Sequence, residues 1–231
     1  MKKLGIVGGI GPESTIAYYR LIFEIYAQQA ANGTAPSLVI ESVEVRKLLA
    51  WMESGNLAAV TNYLSSAIEK LAAAGADFAL LSANTPHIVF DELARTSRLP
   101  LLSIVEATRD YASARGLRKV ALLGTRFTMQ ARFFPDVFAR SQITIAVPST
   151  EEQQYLHGKY INELLNGIFL PETRSGIVSL IGKMKERDQI EGVILGGTEL
   201  PLLLQDKEVL GLPLLDTTEI HVRAAVQRML E

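Results

Sequence analysis

Ala76-Asp77-Phe78-Ala79-Leu80-Leu81-Ser82-Ala83-Asn84-Thr85-Pro86-His87 is the stretch that indicates the fold class of this chain. An apolar run ends abruptly in small polar residues, and a helical pattern follows. This is the pattern of a buried strand that leads into a loop at the edge of an α/β sheet, where folds of this class bind ligands. Val193-Ile194-Leu195-Gly196-Gly197-Thr198-Glu199-Leu200 repeats the pattern near the other end of the chain.

Short apolar runs alternate with amphipathic segments along the chain, which predicts an α/β fold with mainly parallel sheets flanked by helices. The segment from Asn56 to Ala74, for example, predicts an amphipathic helix that Gly75 ends. The dipeptide Asn32-Gly33 predicts a turn.

The pattern also contains an internal repeat. Lys3-Leu4-Gly5-Ile6-Val7-Gly8 resembles Lys119-Val120-Ala121-Leu122-Leu123-Gly124, and Leu99-Pro100-Leu101-Leu102 matches Leu212-Pro213-Leu214-Leu215. The order of these matches predicts two similar halves, residues 1–116 and 117–231, a repeat that argues for two equivalent structural units.

We therefore expect two pseudo-symmetric lobes, one formed by residues 1–100 with 210–231 and the other by residues 101–209. The active-site cleft is expected between them, because ligand pockets favour such boundaries.

Composition limits the partners and the chemistry. The 231 residues carry 23 Lys plus Arg and 25 Asp plus Glu, which favours neither nucleic acid nor membrane as a partner. No apolar run reaches the ~20 residues of a membrane span, and Met1-Lys2-Lys3 is followed by too short an apolar run for a signal peptide, so we expect a cytoplasmic protein. The chain has no cysteine, and His87, His157 and His221 lack metal-ligand spacing, so we expect neither a metal nor a thiol nucleophile.

Candidate ligand-binding groups lie at the predicted strand ends. Asn84-Thr85 and Thr198-Glu199 offer the amide and hydroxyl groups that suit a carboxylate. Gly8-Gly9 and Gly124-Thr125 end the first strand of each half, where glycine allows close approach of the backbone to a ligand. The alternative is that all four are ordinary strand–helix turns.

Charged and ionisable residues add further candidates. His87 could act as an acid or base, or could orient its loop by hydrogen bonding. Arg46, Arg126 and Lys159 are candidates for binding a second carboxylate, with solvated surface charge as the alternative. The run Gly8-Gly9-Ile10-Gly11 does not have the spacing of a dinucleotide-binding loop.

At this point the motifs resemble those of the aspartate/glutamate racemase family. That family has a Cys followed, directly or after one residue, by Asn-Thr, often with a His two positions further on, and later Gly-Cys-Thr-Glu with an apolar run. The stretches that carry the resemblance span almost the whole chain in order: Gly8-Gly9-Ile10-Gly11-Pro12-Glu13-Ser14-Thr15, Ser82-Ala83-Asn84-Thr85-Pro86-His87, Leu123-Gly124-Thr125-Arg126-Phe127-Thr128-Met129, Gly196-Gly197-Thr198-Glu199-Leu200-Pro201-Leu202 and Asp216-Thr217-Thr218-Glu219-Ile220-His221.

The resemblance implies a homodimer of two-lobed subunits that racemises a small acidic amino acid without a cofactor. In such proteins one Cys thiolate removes the α-proton while a second Cys thiol protonates the opposite face. The substrate carboxylate is held by groups that correspond to Asn84, Thr85, Thr198 and Thr128.

The chain departs from the family at both catalytic positions. Ser82, or Ala83 if the spacer is absent, stands at the first Cys position, and Gly197 stands at the second. The two-thiol mechanism therefore cannot operate, and a serine hydroxyl is a poor base without a strong partner.

Three hypotheses remain. The protein could be an isomerase whose base is Glu199, Glu13 or His87. It could instead bind an amino acid or dicarboxylate without turning it over. One-sided chemistry such as decarboxylation or elimination is the third.

Overall fold

The computed structural model describes residues 1–30 and 33–231, which form two compact units. Unit 1 comprises Met1–Ile104 and Thr218–Glu231, and unit 2 comprises Val105–Thr217. The turn predicted at Asn32-Gly33 includes a residue outside the described ranges.

The boundaries of the units differ from those of the predicted lobes mainly at residues 210–217. We expected these residues in the first lobe. The structure places them in unit 2, because the strand Leu212–Asp216 pairs in parallel with the strand Gly192–Gly196 of that unit.

Unit 1 contains a parallel sheet covered by helices. In chain order its elements are β1 (Leu4–Gly8), α1 (Pro12–Gln29), β2 (Leu38–Ser42), α2 (Val45–Glu53), α3 (Leu57–Ala73), β3 (Phe78–Leu81), a 3-10 helix (Thr85–Val89), α4 (Phe90–Thr96), β4 (Leu101–Leu102) and, after unit 2, α11 (Thr217–Leu230). Among the described residues of this unit, four strands form one sheet in the order β2-β1-β3-β4.

Unit 2 repeats this topology. Its elements are α5 (Ile104–Ala114), β5 (Lys119–Gly124), α6 (Arg126–Gln130), α7 (Phe133–Ala139), β6 (Thr144–Ala146), α8 (Thr150–Asn162), a 3-10 helix (Leu164–Asn166), α9 (Pro171–Asp188), β7 (Gly192–Gly196), α10 (Leu200–Leu203), β8 (Glu208–Val209) and β9 (Leu212–Asp216). Within residues 105–217, all of them described, five strands form a sheet in the order β6-β5-β7-β9-β8, and β8 is antiparallel to β9. The predicted α/β class with mainly parallel sheets is confirmed.

Local sequence accounts for the ends of several elements. Helix α3 begins after Asn56, whose side chain accepts a hydrogen bond from the Ala59 N–H at 3.1 Å. Gly75 follows the helix at φ 79°, a conformation that glycine adopts without strain. Helix α1 begins with Pro12, whose missing N–H costs nothing in the first turn.

Each unit buries its own apolar core against its sheet. The unit 1 cluster contains Leu4, Ile6, Tyr18, Ile22, Ile25, Tyr26, Phe78, Leu80, Val222, Ala225, Val226 and Met229. The larger unit 2 cluster includes Leu123, Leu156, Tyr160, Ile177, Ile181, Val193, Leu195 and Leu200. None of the helices in the described ranges combines the length and the apolar character that a membrane span would need.

Candidate functional site

The loop after β3 places Ser82 beside the end of β1. Leu81 is paired with Val7, so the chain leaves the sheet at Ser82 with the Ser82 N–H donating to the Val7 carbonyl at 3.1 Å. The Ser82 hydroxyl donates to the same carbonyl at 3.2 Å and lies 3.3 Å from the Thr15 hydroxyl. The Ser82 carbonyl accepts a hydrogen bond from the Ser14 hydroxyl at 2.5 Å. Ser82 is therefore a fully buried residue that is held by backbone and hydroxyl groups.

The hydrogen bonds of the Ser82 hydroxyl decide whether it has a general base. Within the described ranges 1–30 and 33–231, no carboxylate or imidazole forms a hydrogen bond with its hydroxyl. Glu13, a candidate base from the sequence, is exposed in the first turn of α1. Because a serine hydroxyl needs a base to act as a nucleophile or proton acceptor, this position cannot replace a thiolate.

The N-terminal loop is linked to Ser82 through the Thr15 hydroxyl. Gly9 has a φ of 77°, and a Cβ there would meet the Val43 carbonyl oxygen at 2.3 Å, so only glycine fits. Its N–H donates to the Thr15 hydroxyl at 2.9 Å. Arg46, the predicted carboxylate partner in this unit, is exposed near the start of α2.

Asn84 and Thr85 lie at the start of the 3-10 helix that follows Ser82. Asn84 is buried and Thr85 is partly exposed. The structure thus brings Ser82, Asn84 and Thr85 together on one loop at the carboxyl end of β3, as the sequence predicts for a ligand-binding edge.

His87 uses both ring nitrogens within the protein. Its Nδ1 lies 3.1 Å from the Ala83 carbonyl oxygen, and its Nε2 accepts the Ile104 N–H at 3.2 Å. This pairing assigns the proton to Nδ1. Burial lowers the pKa of His87 to about 4, so the ring is neutral. The geometry supports the loop-orienting role rather than the acid–base role.

His221 is a second buried imidazole in unit 1. Its Nδ1 lies 2.8 Å from the Tyr18 hydroxyl and its Nε2 lies 3.1 Å from the Leu102 carbonyl oxygen. Burial lowers its pKa to about 3. Its contacts tie α11 to α1 and to β4, which is a structural role.

The loop after β7 in unit 2 has a different arrangement at the position of the second thiol. Gly196 is paired with Gly124, and Gly197 is the first residue beyond the sheet. A Cβ built on Gly197 would lie 2.4 Å from the Tyr160 Oη and 2.6–2.7 Å from its ring atoms Cε2 and Cζ. The phenol of Tyr160, from α8, therefore fills the space that a side chain at position 197 would need.

Tyr160 belongs to a buried hydrogen-bonded group with the two polar residues of this loop. Its hydroxyl donates to Oε2 of Glu199, and the Thr198 hydroxyl donates to the same oxygen at 3.1 Å. Tyr160 is 2% exposed, Thr198 6% and Glu199 4%. Burial, followed by the negative charge of Glu199, raises the pKa of Tyr160 well above its ordinary value, so the phenol stays protonated.

The loop after β5 holds its polar residues by local hydrogen bonds. The Thr125 hydroxyl caps α6 by accepting the Thr128 N–H at 3.3 Å, and the two threonine hydroxyls lie 3.2 Å apart. Thr128 is fully buried. Arg126 is exposed, with its guanidinium 5.4 Å from the centroid of the Phe127 ring.

Lys159, the other predicted carboxylate partner, is paired within α8. Its Nζ lies 2.5 Å from Oε1 of Glu163, and the Thr173 hydroxyl donates to the other Glu163 oxygen. The hydrogen bond to Glu163 raises the pKa of Lys159, and the same bond lowers the pKa of Glu163. The ammonium of Lys159 is therefore already paired with a carboxylate of its own helix end.

Tyr160 is the residue that sequence reasoning missed. One signal was present: Gly197 leaves an empty side-chain position in a buried loop, and a well-packed interior must fill it from elsewhere. The sequence does not say which residue does so. In the described part of the chain, no group of three or more His, Asp or Glu side chains is placed to hold a metal ion.

Several solved structures share the fold of this chain. A candidate Asp/Glu racemase from Yersinia pestis is 31% identical with a TM-score of 0.90, and an aspartate racemase homologue from Pyrococcus horikoshii is 36% identical with a TM-score of 0.85; both matches cover 100% of each chain. An aspartate racemase from Picrophilus torridus, 20% identical over 99% of this chain and 94% of its own, has the same fold with a TM-score of 0.76.

The family model for Asp/Glu/hydantoin racemases matches residues 7–225. The chain therefore belongs to the Asp/Glu/hydantoin racemase family.

Proposed function

We propose that this protein binds a small acidic amino acid or a related dicarboxylate and does not invert it by the two-thiol mechanism. Family membership supports the ligand class, as do the names of the Yersinia and Pyrococcus relatives. Each unit carries candidate ligand-binding residues of its own, Asn84 and Thr85 in unit 1 and Thr198 in unit 2. Their amide and hydroxyl groups can hydrogen-bond a carboxylate.

The surroundings of Ser82 support the part of this proposal that excludes the two-thiol mechanism. The hydroxyl of Ser82 donates to the Val7 carbonyl, and no carboxylate or imidazole among the described residues is hydrogen-bonded to it, so it cannot accept a proton from a substrate carbon. Gly197 has no side chain to offer.

A second candidate function is isomerisation or a related proton-transfer reaction by groups other than thiols. The observation that favours it is the pair of Tyr160 and Glu199, which brings a phenol and a carboxylate to the side-chain space of position 197.

Ligand binding can be tested by thermal shift and calorimetry with both enantiomers of aspartate and glutamate and with succinate and malate. We expect at least one of these to raise the melting temperature at millimolar concentration, because a ligand that binds only the folded state stabilises it. No shift with any of them would contradict the proposal.

Variants assign the binding residues. Thr198→Val removes the hydroxyl at nearly constant volume, and we expect it to weaken binding about tenfold, the loss that corresponds to about 1.4 kcal/mol. The matched control is Thr144→Val on β6 of the same unit, whose side chain is exposed. Equal affinity of the two variants would remove Thr198 from the site.

Dimerisation and a cytoplasmic location remain predictions. Sedimentation velocity on the purified chain would test the first, since a monomer at micromolar concentration would contradict it. Cell fractionation would test the second.

A further inference from the structure

The side-chain space of the second thiol position is occupied by a different acid–base group. The Tyr160 Oη stands 2.4 Å from where a Cβ of residue 197 would be, and the phenol is hydrogen-bonded to the carboxylate of Glu199. The Thr198 hydroxyl binds the same carboxylate oxygen at 3.1 Å, which fixes the orientation of the pair. A phenol and a carboxylate in direct contact can pass a proton between them.

The equivalent position in unit 1 has no such group. The hydroxyl of Ser82 donates to the Val7 carbonyl and has no carboxylate or imidazole partner in the described residues. His87, the nearest imidazole along the chain, has both nitrogens engaged by Ala83 and Ile104. The protein is therefore equipped for proton transfer at one of the two former thiol positions and not at the other.

We propose that Tyr160 and Glu199 exchange the α-proton of a bound amino acid on one face only, without inversion. This inference rests on the proposed binding of an acidic amino acid. A planar carbanion can be protonated from either face, and inversion requires a donor on the second face. With a single acid–base group, the proton leaves and returns on the same side.

In the proposed step the α-carbon–hydrogen bond breaks. Its proton passes to the Tyr160 oxygen, while the phenolic proton passes to Glu199. The electron pair stays on the α-carbon, next to the carboxylate of the ligand. Slow exchange of the protons of the buried pair with D2O supplies the deuterium, and the reverse transfer restores the carbon–hydrogen bond on the original face.

The protonation state of the resting phenol matches this sequence. The raised pKa of Tyr160 keeps the phenol protonated, and its hydrogen bond points to the Glu199 oxygen that would receive the proton. A purely structural role of the pair would give the same resting geometry, so the test needs a readout that such a role cannot produce.

The experiment is incubation of L- and D-aspartate and L- and D-glutamate with the full chain in D2O, followed by chiral chromatography and mass spectrometry. The α-hydrogens of the two enantiomers point to opposite faces. We therefore expect one enantiomer to gain a single deuterium with its configuration retained, while the other gains none.

Variants link the exchange to the pair. Tyr160→Phe keeps the ring and removes the hydroxyl, and Glu199→Gln keeps the shape and removes the base; we expect each to reduce exchange at least tenfold. The matched control is Tyr155→Phe on the same helix, because Tyr155 is 40% exposed and should leave exchange unchanged.

The outcomes separate this inference from the proposed function. Ligand-induced stabilisation without exchange into any amino acid would overturn the inference and leave the binding proposal standing. Deuterium in both enantiomers, or in an inverted product, would overturn the one-face mechanism. Exchange that survives in Tyr160→Phe would remove Tyr160 from it. Neither stabilisation nor exchange would overturn both.

Discussion

The phenol of Tyr160 lies against the α-carbon of Gly197 and occupies the space that a side chain at position 197 would need. A Cβ there would lie 2.4 Å from the hydroxyl oxygen and closer than 3 Å to the ring. No positive φ accompanies Gly197, so the backbone would accept another residue. The three atoms nearest to that Cβ all belong to Tyr160, and the two residues are therefore coupled.

We expect Gly197→Ala to lower the free energy of unfolding by about 1–3 kcal/mol, the usual cost of overpacking a core. In a Tyr160→Ala background the same change should cost much less, because the obstructing ring is gone. Urea denaturation of the four proteins in this cycle measures the coupling. Additive effects within about 0.5 kcal/mol would contradict it.

Gly158→Ala is the control for this cycle. Gly158 lies on α8 with Tyr160, and a Cβ there meets nothing within 4 Å. Alanine should therefore raise the free energy of unfolding by about 0.5–1 kcal/mol, the gain expected inside a helix.

Ser82→Ala should cost about 0.5–1.5 kcal/mol of stability, the net value of one hydrogen bond, because the Val7 carbonyl keeps the Ser82 N–H as a donor. Ligand affinity and deuterium exchange should not change, since the hydroxyl points into the protein. Chemical denaturation and calorimetry measure both quantities. A tenfold loss of affinity or of exchange would return Ser82 to the site.

Acid should destabilise unit 1 through its buried histidines. His87 has a folded pKa of about 4 against 6.5 unfolded, so between these values the unfolded chain binds more protons. The stabilisation is fully present above about pH 6.5 and is lost as the pH falls to about 4, and it amounts to about 3 kcal/mol for this residue. His221 has a folded pKa of about 3, so its contribution to stability is lost down to about pH 3.

Urea unfolding at several pH values tests this prediction. In His87→Gln, the free energy of unfolding should depend less steeply on pH between 6.5 and 4 than in the wild type. The same slope in both proteins would show that His87 does not stay neutral when folded.

Lys159→Met tests whether this side chain binds ligand or only its helix partner. Because the ammonium is already paired with Glu163, we expect ligand affinity to change less than twofold. Stability should fall only slightly, because solvent-screened ion pairs on a helix contribute little. Calorimetry measures the ligand affinity of the variant. A tenfold loss of affinity would favour the carboxylate-binding role.

Patterns that depend on neighbouring residues predicted the scaffold of the site. The apolar run that ends at Ser82 gave the strand and its polar loop, and the repeat at Thr198 gave the second loop, because strand burial and loop polarity are local in sequence. The ion pair of Lys159 and Glu163 was also readable from its four-residue spacing.

The remaining features of the site depend on long-range packing, which patterns of neighbouring residues do not reveal. Tyr160 and Glu199 are 39 residues apart, and nothing in either segment indicates that α8 places a phenol beside Gly197. Likewise, residues 210–217 join unit 2 because β9 pairs with β7, a choice of partner strand that the internal repeat alone did not settle.

The hydrogen bond between Tyr18 and His221 joins residues 203 positions apart. The ribosome therefore finishes all of unit 2 before it releases the helix that completes the core of unit 1. Until then, the nascent first unit lacks Val222, Val226 and Met229, and its apolar face around Ile22 has no cover. Unit 2 is contiguous in the chain, whereas unit 1 needs the last segment to complete its core, so the apolar face of unit 1 stays uncovered until synthesis is nearly finished.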